Sequence, residues 1–596
     1  MTLKERFAAM RNLPRFFKMI WATAPRLAFA NLVLRLLRAG VPLALLYVGK
    51  LIINEVIHAR GEKDLTYLFT LVGIELCIAV LSDLLSRATS MLDSMLGDLF
   101  SNSTSIKLMS HAATLDLDQF EDSEFYDKLE RARRQTINRT VLLTQLLGQI
   151  QDIITIAFLS VGLIVFNPWL ILILLIAVVP SFLGESHFNE RSYSLSHSFT
   201  AERRELDYLR YTGASDETAK EVKIFGLAGF LIDRFRYLSD KFYKANLALS
   251  LRRAGWGGFF STIGTLGYYA AYIYIIYKTA QGSISIGQLT FLSGSFARMR
   301  ALMEGILNRF TSMADDALYL KDFFDFFDIQ PKIKTEANTL PFPKPILHGF
   351  AFENVGFKYA NSERWALRNV SFNLKVGEKL ALVGENGAGK TTLVKLLARL
   401  YDPVEGRILL DRHDLREYDP EELRKEIGVI FQDFVKFQLS ASNNIAIGRI
   451  EDKEDMPKIE KSAAQSLANT VIEKLPEGYN QMIGKRFGNG VDLSGGEWQK
   501  IALGRAYMRD SQLLILDEPT AALDARAEHN VFLRFSELMQ GKTAVLISHR
   551  FSTVRMADRI LLLENGHLLE IGTHEELLDM GGRYSELFAL QAEGYR

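Results

Sequence analysis

A glycine-rich segment in the second half of the chain reads Gly384-Glu385-Asn386-Gly387-Ala388-Gly389-Lys390-Thr391-Thr392. It follows directly on the apolar run 380–383 (LALV) and precedes a helical stretch, so the pattern GxxxxGK[ST] has the strand–loop–helix context that it requires. Glycines let such a loop wrap around a phosphate, while successive N–H groups and the helix N-terminus supply positive potential. The sequence therefore predicts a nucleotide-binding loop, in which Lys390 reaches the β- and γ-phosphates and the Thr391 hydroxyl binds Mg²⁺.

A second motif lies at the end of another apolar run. Residues 513–516 (LLIL) are followed by Asp517 and Glu518. Two acids at the end of a strand are often an ordinary turn, but beside a phosphate-binding loop they indicate hydrolysis. Asp517 is then placed to hold Mg²⁺, directly or through water, and Glu518 to polarise the attacking water as a general base.

The composition excludes several other classes of protein. Lysine plus arginine number 70 and aspartate plus glutamate number 70, and this zero balance argues against a dedicated nucleic-acid binder. The single cysteine, Cys77, excludes an intrachain disulfide and a cysteine-built metal site. The mean hydropathy of +0.05 averages two unlike parts. Long apolar stretches recur up to about residue 320, and short β-rich runs alternate with helical ones after about residue 345.

Six apolar stretches in the first part are long enough to cross a bilayer, which takes about 20 helical residues. The run 169–180 (WLILILLIAVVP) has no polar side-chain atom except the indole N–H, which disfavours a soluble core of buried helices. Charged residues interrupt several spans, so the helices are expected to surround a polar cavity, unless residues such as Arg35, Arg38 and Asp83 lie where a helix leaves the membrane. The predicted spans are Leu27–Ile57, Leu65–Leu85, Val141–Phe166, Trp169–Leu183, Gly255–Tyr277 and Ile286–Ile306.

Basic residues and prolines indicate the topology and the domain boundary. Arginine and lysine concentrate in the N-terminus and in the long polar segments Ser101–Arg139 and Glu190–Arg253, which the positive-inside rule places in the cytoplasm. Four prolines in Gln330–His348 mark a linker. We therefore expect an all-α six-helix transmembrane domain over residues 1–329, a linker over 330–347, and an α/β phosphate-loop ATPase domain over 348–596.

A third motif, Leu493-Ser494-Gly495-Gly496-Glu497, lies 20 residues before Asp517. Together with the two motifs above, in this order, it resembles the signature of ABC ATPases. Six spans followed by one nucleotide-binding domain resemble a bacterial ABC exporter half-transporter, and this resemblance covers the whole chain. It implies ATP-driven export by alternating access in a dimer, with ATP and Mg²⁺, in the bacterial cytoplasmic membrane with the ATPase domain and N-terminus cytoplasmic.

The resemblance also implies roles for residues that no motif singles out alone. Tyr359 matches the aromatic residue that stacks on adenine, and Gln432 the glutamine that senses Mg²⁺ and water. The catalytic set would be Glu518, His549 as the switch histidine, and Gln432. Ser494, Gly495 and Gly496 match the residues that bind the γ-phosphate of ATP held by the partner subunit. Asp524 matches the loop that crosses the dimer. The segments Phe120–Asp127 and Tyr211–Ala219 match the two coupling helices. Two residues depart from the family pattern, Glu497 for the commoner glutamine and Phe431 before Gln432.

Three functions stay open at this point. The first is export of a peptide, a drug-like molecule or another amphiphile. The second is a lipid flippase driven by the same ATPase domain. The third is an ABC protein that uses ATP to gate or regulate. Complete motifs favour a homodimer with two ATP at its interface, because heterodimeric relatives often carry one degenerate site. Charges of both signs in the spans favour peptide or amphiphilic cargo over purely apolar drugs. The expected partners are a second copy, membrane lipid and an unidentified substrate, with no nucleic acid.

Overall fold

A computed structural model gives the fold of the chain. It describes residues 11–59, 64–166, 199–333, 339–360, 362–517, 533–548 and 551–593, with short pieces between 168 and 195. The chain divides into two compact units. The first comprises Met1–Thr114 and Asp127–Ile329, and the second comprises Leu115–Tyr126 and Gln330–Arg596. The short segment Leu115–Tyr126 therefore belongs to the second unit, although it stands between two helices of the first.

The first unit is built of long helices. The helix that carries the second predicted span has 49 residues, which corresponds to about 74 Å at 1.5 Å per residue and exceeds the roughly 30 Å of a bilayer core. The apolar spans therefore run without a break into the polar segments that follow or precede them. Among the described residues, this unit includes the helices α1 (Leu13–Thr23), α2 (Pro25–His58), α3 (Thr66–Thr114), α5 (Ser123–Phe166), α6 (Thr200–Gly213), α7 (Ala219–Ile224), α8 (Ala228–Ala280) and α9 (Ile286–Asp328), while α4 (Leu117–Phe120) lies in the second unit.

Among the described residues, four helical stretches are long and apolar enough to cross a membrane: Pro25–His58, Thr66–Thr114, Leu143–Phe166 and Ala228–Ala280. They correspond to the first, second, third and fifth predicted spans. The shorter apolar helix Trp169–Pro180 corresponds to the fourth, of which residues 174, 175, 177 and 181–183 lie outside the described residues. The sixth predicted span forms the first half of α9, where Arg298, Arg300 and Glu304 make the helix less apolar than these four. The predicted all-α membrane part is thus confirmed.

The second unit is an α/β fold. In the part of the chain that the structure describes, it holds an antiparallel sheet of order β2-β1-β4-β5 and a sheet of order β10-β9-β3-β8-β7-β6. In the second sheet β9, β3, β8, β7 and β6 run parallel, and β10 joins as an antiparallel edge strand. The strands are β1 (Phe350–Lys358), β2 (Trp365–Leu374), β3 (Lys379–Val383), β4 (Glu405–Leu410), β5 (His413–Asp414), β6 (Ile427–Ile430), β7 (Leu513–Asp517), β8 (Thr543–Ile547), β9 (Arg559–Glu564) and β10 (His567–Gly572).

Helices cover the parallel sheet and form a separate lobe. Strands β7 and β8 are buried at every position, as expected for parallel strands covered on both faces. Helix α12 and the helices near it pack around the buried Trp498 in a cluster of their own. In the described parts of this unit the helices are α10 (Lys390–Leu397), α11 (Pro420–Lys425), α12 (Ala441–Ala446), α13 (Met456–Gln465), α14 (Asn469–Ile472), α15 (Gly495–Met508), α16 (Phe551–Val554), α17 (His574–Asp579) and α18 (Arg583–Glu593), with 3₁₀ turns at Leu415–Glu417, Ile447–Asp452 and Gly478–Asn480.

A buried ion pair joins α2 to α3 in the helical unit. The Arg35 guanidinium donates to Asp93 at 2.5 Å, and the two side chains are 5% and 11% exposed. Asn31 bonds both of them, donating to Asp93 and accepting from Arg35, each at 2.8 Å. Arg35 is therefore bound within the helical packing, and its charge is neutralised by a residue 58 positions away.

Separating this pair is expected to destabilise the protein more than removing both partners. Asp93→Leu leaves the Arg35 charge buried without its partner, which costs about 3–5 kcal/mol, whereas Arg35→Met/Asp93→Leu buries no charge and should recover most of that loss. The free energy of unfolding of the purified protein measures this. Asp328→Asn is the matched control, because the Arg15–Asp328 pair is 49% and 59% exposed and its loss should cost less than about 1 kcal/mol. If the double variant lost as much free energy of unfolding as Arg35→Met and Asp93→Leu lose together, that result would contradict a coupling between the two residues.

Candidate nucleotide-binding site

The glycine-rich loop 384–392 joins the end of β3 to the start of α10. It lies at the edge of the parallel sheet where the carboxyl ends of β3, β8 and β7 meet, the usual ligand-binding edge of α/β sheets. Two of its glycines are required by their surroundings. A Cβ on Gly384 would lie 2.2 Å from the Leu563 carbonyl oxygen, and one on Gly389, whose φ is +106°, would lie 2.6 Å from the Ala366 carbonyl oxygen. The backbone path of the loop is therefore fixed by close contact with β2 and β9.

Lys390 begins α10 and is buried, with its amine folded back over the loop. The Nζ atom donates to the carbonyl oxygens of Gly384 at 2.7 Å and of Glu385 at 3.0 Å. The ammonium group thus lies against the backbone of the glycine-rich loop, which the sequence predicts to enclose the phosphates. A cation at this point adds to the positive potential of the helix N-terminus.

Thr391 and Asp517 come together as a candidate half of a magnesium site. The Thr391 hydroxyl donates to the Asp517 carboxylate at 3.4 Å, and Asp517, the last residue of β7, is 4% exposed. A hydroxyl and a carboxylate are oxygen ligands of the kind that Mg²⁺ takes alongside substrate phosphates. Within the described residues no group of three or more His, Cys, Asp or Glu side chains could hold a metal by itself. The residues present therefore fit Mg²⁺ carried with a nucleotide.

Tyr359 follows β1 and connects to the same loop. Its hydroxyl lies 2.9 Å from the Thr392 hydroxyl, and its ring packs edge-on against Phe357 at 5.1 Å between centroids. Its predicted partner in the site, Gln432, is exposed two residues beyond β6. Tyr359 and Gln432 thus each lie just after a strand of the nucleotide unit, β1 and β6 respectively.

The signature residues lie in the helical lobe, at the start of α15. Ser494 is the N-cap of that helix, and its hydroxyl donates to the Glu497 carboxylate at 2.8 Å. Glu497 also accepts from the Ser494 backbone N–H at 2.9 Å, and these two bonds lower the pKa of the Glu497 carboxyl. The glutamate that departs from the family pattern thus completes a capping box. Ser494 and Gly495 are exposed, so the N-terminal end of α15 faces away from the protein interior.

Three of the predicted site residues, Glu518, Asp524 and His549, lie outside the described residues. The structure fixes where their segments begin. In the sequence, Glu518 directly follows the last residue of β7, and His549 comes two residues after the last residue of β8. Their predicted roles remain predictions.

A cluster of polar and aromatic side chains beside Tyr359 was not predicted from the sequence. Glu121 accepts from the Lys395 amine at 2.9 Å and from the Tyr401 hydroxyl at 2.6 Å. The Lys395 amine lies over the rings of both Tyr359 and Tyr401, at 5.4 and 5.6 Å from their centroids. Burial, and then the bond to Glu121, raises the pKa of the Tyr401 hydroxyl far above its ordinary value. Glu121 stands 274 positions before Lys395, and no local pattern signals a contact over that distance.

Comparisons with known proteins agree with this geometry. The model of the ABC transporter family matches residues 367–521, from β2 to just beyond β7. The subtilin transport ATP-binding protein of Bacillus subtilis is 29% identical over 98% of this chain and 95% of its own. The nisin transport ATP-binding protein of Lactococcus lactis subsp. lactis is 26% identical over 98% of this chain and 97% of its own.

Two further comparisons extend to the membrane part. An ATP-dependent lipid A-core flippase of Alkalilimnicola ehrlichii is 34% identical over 75% of this chain and 74% of its own. A solved bacterial Atm1-family ABC exporter with ATP bound shares the fold, with a TM-score of 0.81 over 96% of this chain and 99% of the other, at 24% identity. The chain therefore belongs to the ABC transporter family, as an ABC exporter with its membrane helices and its ATPase on one polypeptide.

Proposed function

We propose that this exporter moves an amphiphilic peptide out of the cell, as a homodimer in the bacterial cytoplasmic membrane. The observation that carries the choice of cargo is the similarity over 98% of the chain to proteins that transport subtilin and nisin, which are peptides. The nucleotide unit is common to all ABC transporters, so only similarity that extends through the helical unit bears on cargo. The similarity to the lipid A-core flippase covers 75% of the chain.

Polar contacts inside the helical unit support an amphiphilic cargo. Arg309 on α9 pairs with Asp152 on α5, and Arg300 pairs with Glu304 within α9 at 2.9 Å. Gln149 on α5 donates to the Ile306 carbonyl at 3.3 Å. Charged groups of both signs on membrane helices usually face the bundle interior or water. A path lined by them suits a molecule with charged and apolar parts better than a purely apolar one.

The position of the signature residues supports the dimer. Ser494, Gly495 and Gly496 open a 14-residue helix, and a helix N-terminus is a ready site for phosphate. The loop with Lys390 is built from β3 and α10, while α15 belongs to the lobe around Trp498. We infer that each signature end completes the site of a second copy, so that bound ATP joins two chains and its hydrolysis releases them.

The proposed chemistry divides among a few side chains. Lys390 and the loop N–H groups hold the β- and γ-phosphates, and Glu518 polarises the attacking water, with His549 and Gln432 beside it. Thr391 and Asp517 would hold Mg²⁺, which offsets phosphate charge when it is bound with the nucleotide. Tyr359 stacks on the adenine, and Asp524 lies in the loop that crosses the dimer.

Glu518→Gln is expected to bind ATP as the unmodified protein does but to hydrolyse it at least about 100-fold more slowly, because the amide cannot accept a proton from water. ATPase activity in lipid vesicles, with ATP binding measured in parallel, tests the assignment. Glu454→Gln is the control, since that side chain is 90% exposed and should leave turnover unchanged. Turnover of Glu518→Gln at the normal rate would refute Glu518 as the general base.

The contacts of Glu121 support a coupling role for the segment Phe120–Asp127. This carboxylate ties the segment to Lys395 on α10, the helix that begins in the nucleotide-binding loop, and to Tyr401 beside Tyr359. Residues 115–126 form part of the nucleotide unit, while α3 before them and α5 from Asp127 onward belong to the helical unit. A change at the nucleotide can therefore reach this segment through two charge-assisted contacts.

Glu121→Gln is expected to keep the basal ATPase rate but to lose most of its stimulation by cargo, because it removes the charge that holds Lys395 and Tyr401. ATPase activity in lipid vesicles with and without nisin as the probe peptide measures both quantities. Glu454→Gln is the control, because that carboxylate is 90% exposed and its loss should change neither the basal rate nor the stimulation. Stimulation of Glu121→Gln equal to that of the unmodified protein would contradict the coupling role. Stimulation by phospholipid and not by any peptide would favour the flippase.

A further inference from the structure

Arg583, the first residue of α18, lies beside the nucleotide-binding loop although 198 positions separate it from Glu385. Its guanidinium donates to the Glu385 carboxylate at 2.8 Å and to Glu586 at 2.6 Å. Its Nε atom is 3.4 Å from the Glu564 carboxylate at the end of β9. One cation therefore stands among three carboxylates, one of which belongs to the loop itself.

The position of Arg583 is fixed by the elements around it. Both oxygens of Glu570 on β10 accept from the start of α18, from the N–H of Arg583 at 2.7 Å and of Tyr584 at 3.1 Å. The Tyr584 ring is fully buried, and its hydroxyl lies 2.8 Å from His574 Nδ1. The backbone of Arg583 is thus held by a cap and a buried aromatic ring, independently of its contact with Glu385.

The β9–β10 hairpin beside Arg583 also supports the loop. The Gly566 N–H donates to the Ala388 carbonyl at 3.2 Å, and Gly384 packs against the Leu563 carbonyl. Glu564 stands between these two contacts in the sequence. Arg583 therefore bridges the loop and the hairpin on which the loop rests.

The charge of Glu385 is unfavourable where it stands. The loop 384–392 binds the phosphates of ATP, and a carboxylate on it repels them over a distance of about a Debye length. Arg583 offsets this charge, and its own charge is secure, because the carboxylates of Glu586 and Glu385 raise the pKa of its guanidinium. An exposed ion pair adds little to folding stability, so the consequence of this contact is expected in nucleotide affinity.

We propose that Arg583 is a positioning residue for ATP: it neutralises Glu385 and holds that carboxylate against α18, so that the C-terminal helix sets the affinity of the loop for nucleotide phosphates. The inference rests on ATP binding by the loop and is independent of the cargo and of the dimer.

Arg583→Met is expected to weaken ATP binding roughly three- to tenfold at low ionic strength, because it leaves the Glu385 charge unopposed. The full-length protein in lipid nanodiscs is titrated with trinitrophenyl-ATP, which is then displaced by ATP, ADP or AMP. The loss of affinity should decrease from ATP to AMP with the charge of the nucleotide, and it should shrink in about 0.5 M salt. The ATPase rate at saturating ATP should stay within about twofold, since catalytic groups are untouched.

The decisive comparison is rescue by a second substitution. Glu385→Gln should bind ATP at least as tightly as the unmodified chain, and Glu385→Gln/Arg583→Met should restore the affinity to within about twofold. Arg583→Lys should keep most of the affinity, and Arg407→Met, which breaks an exposed pair with Glu353, is the control for loss of a surface cation. Equal losses for ATP and AMP, an unchanged affinity of Arg583→Met, or no rescue by Glu385→Gln would each overturn the proposal.

Discussion

The turn of the backbone through residues 384–392 is the constraint on which the rest of this exporter depends. The chain must leave β3, enclose a phosphate and enter α10 within the six residues 384–389, and at Gly384 and Gly389 it packs so closely on β9 and β2 that no side chain fits. These contacts hold the backbone N–H groups in place before a nucleotide binds. Sites with preorganised dipoles of this kind lose little free energy to rearrangement when the charged ligand arrives.

Several distant elements converge on that loop, and each brings a different group to it. β7 brings Asp517 to Thr391, the end of β1 brings Tyr359 to Thr392, and α18 brings Arg583 to Glu385. Glu121, from the segment between α3 and α5, reaches the same region through Lys395 and Tyr401. The glycine-rich loop, the segment Leu115–Tyr126 and the C-terminal helix are thus related through contacts with residues 385–401.

The sequence predicted the parts whose signal is local. The nine-residue loop, the acidic strand end and the apolar stretches each depend on neighbours in the chain, and so do the all-α and α/β classes of the two parts. Contacts between residues far apart could not be predicted, because Arg35 with Asp93, Glu121 with Lys395 and Glu385 with Arg583 have no shared pattern in the sequence. The uninterrupted course of α3 from apolar into polar sequence was also missed, since a change of hydropathy resembles the end of a helix while the backbone continues through it.

Transport by this exporter depends on nucleotide bound by the glycine-rich loop. This dependence is tested most directly by ATP-dependent accumulation of nisin in inverted membrane vesicles that contain either the unmodified chain or Gly389→Ala, whose new methyl group would collide with the Ala366 carbonyl. Nisin is expected to accumulate in vesicles with the unmodified chain and not in vesicles with Gly389→Ala. Equal accumulation by both would contradict it, and so would an unmodified chain that hydrolyses ATP but accumulates neither nisin nor any of a broad set of peptides and lipids.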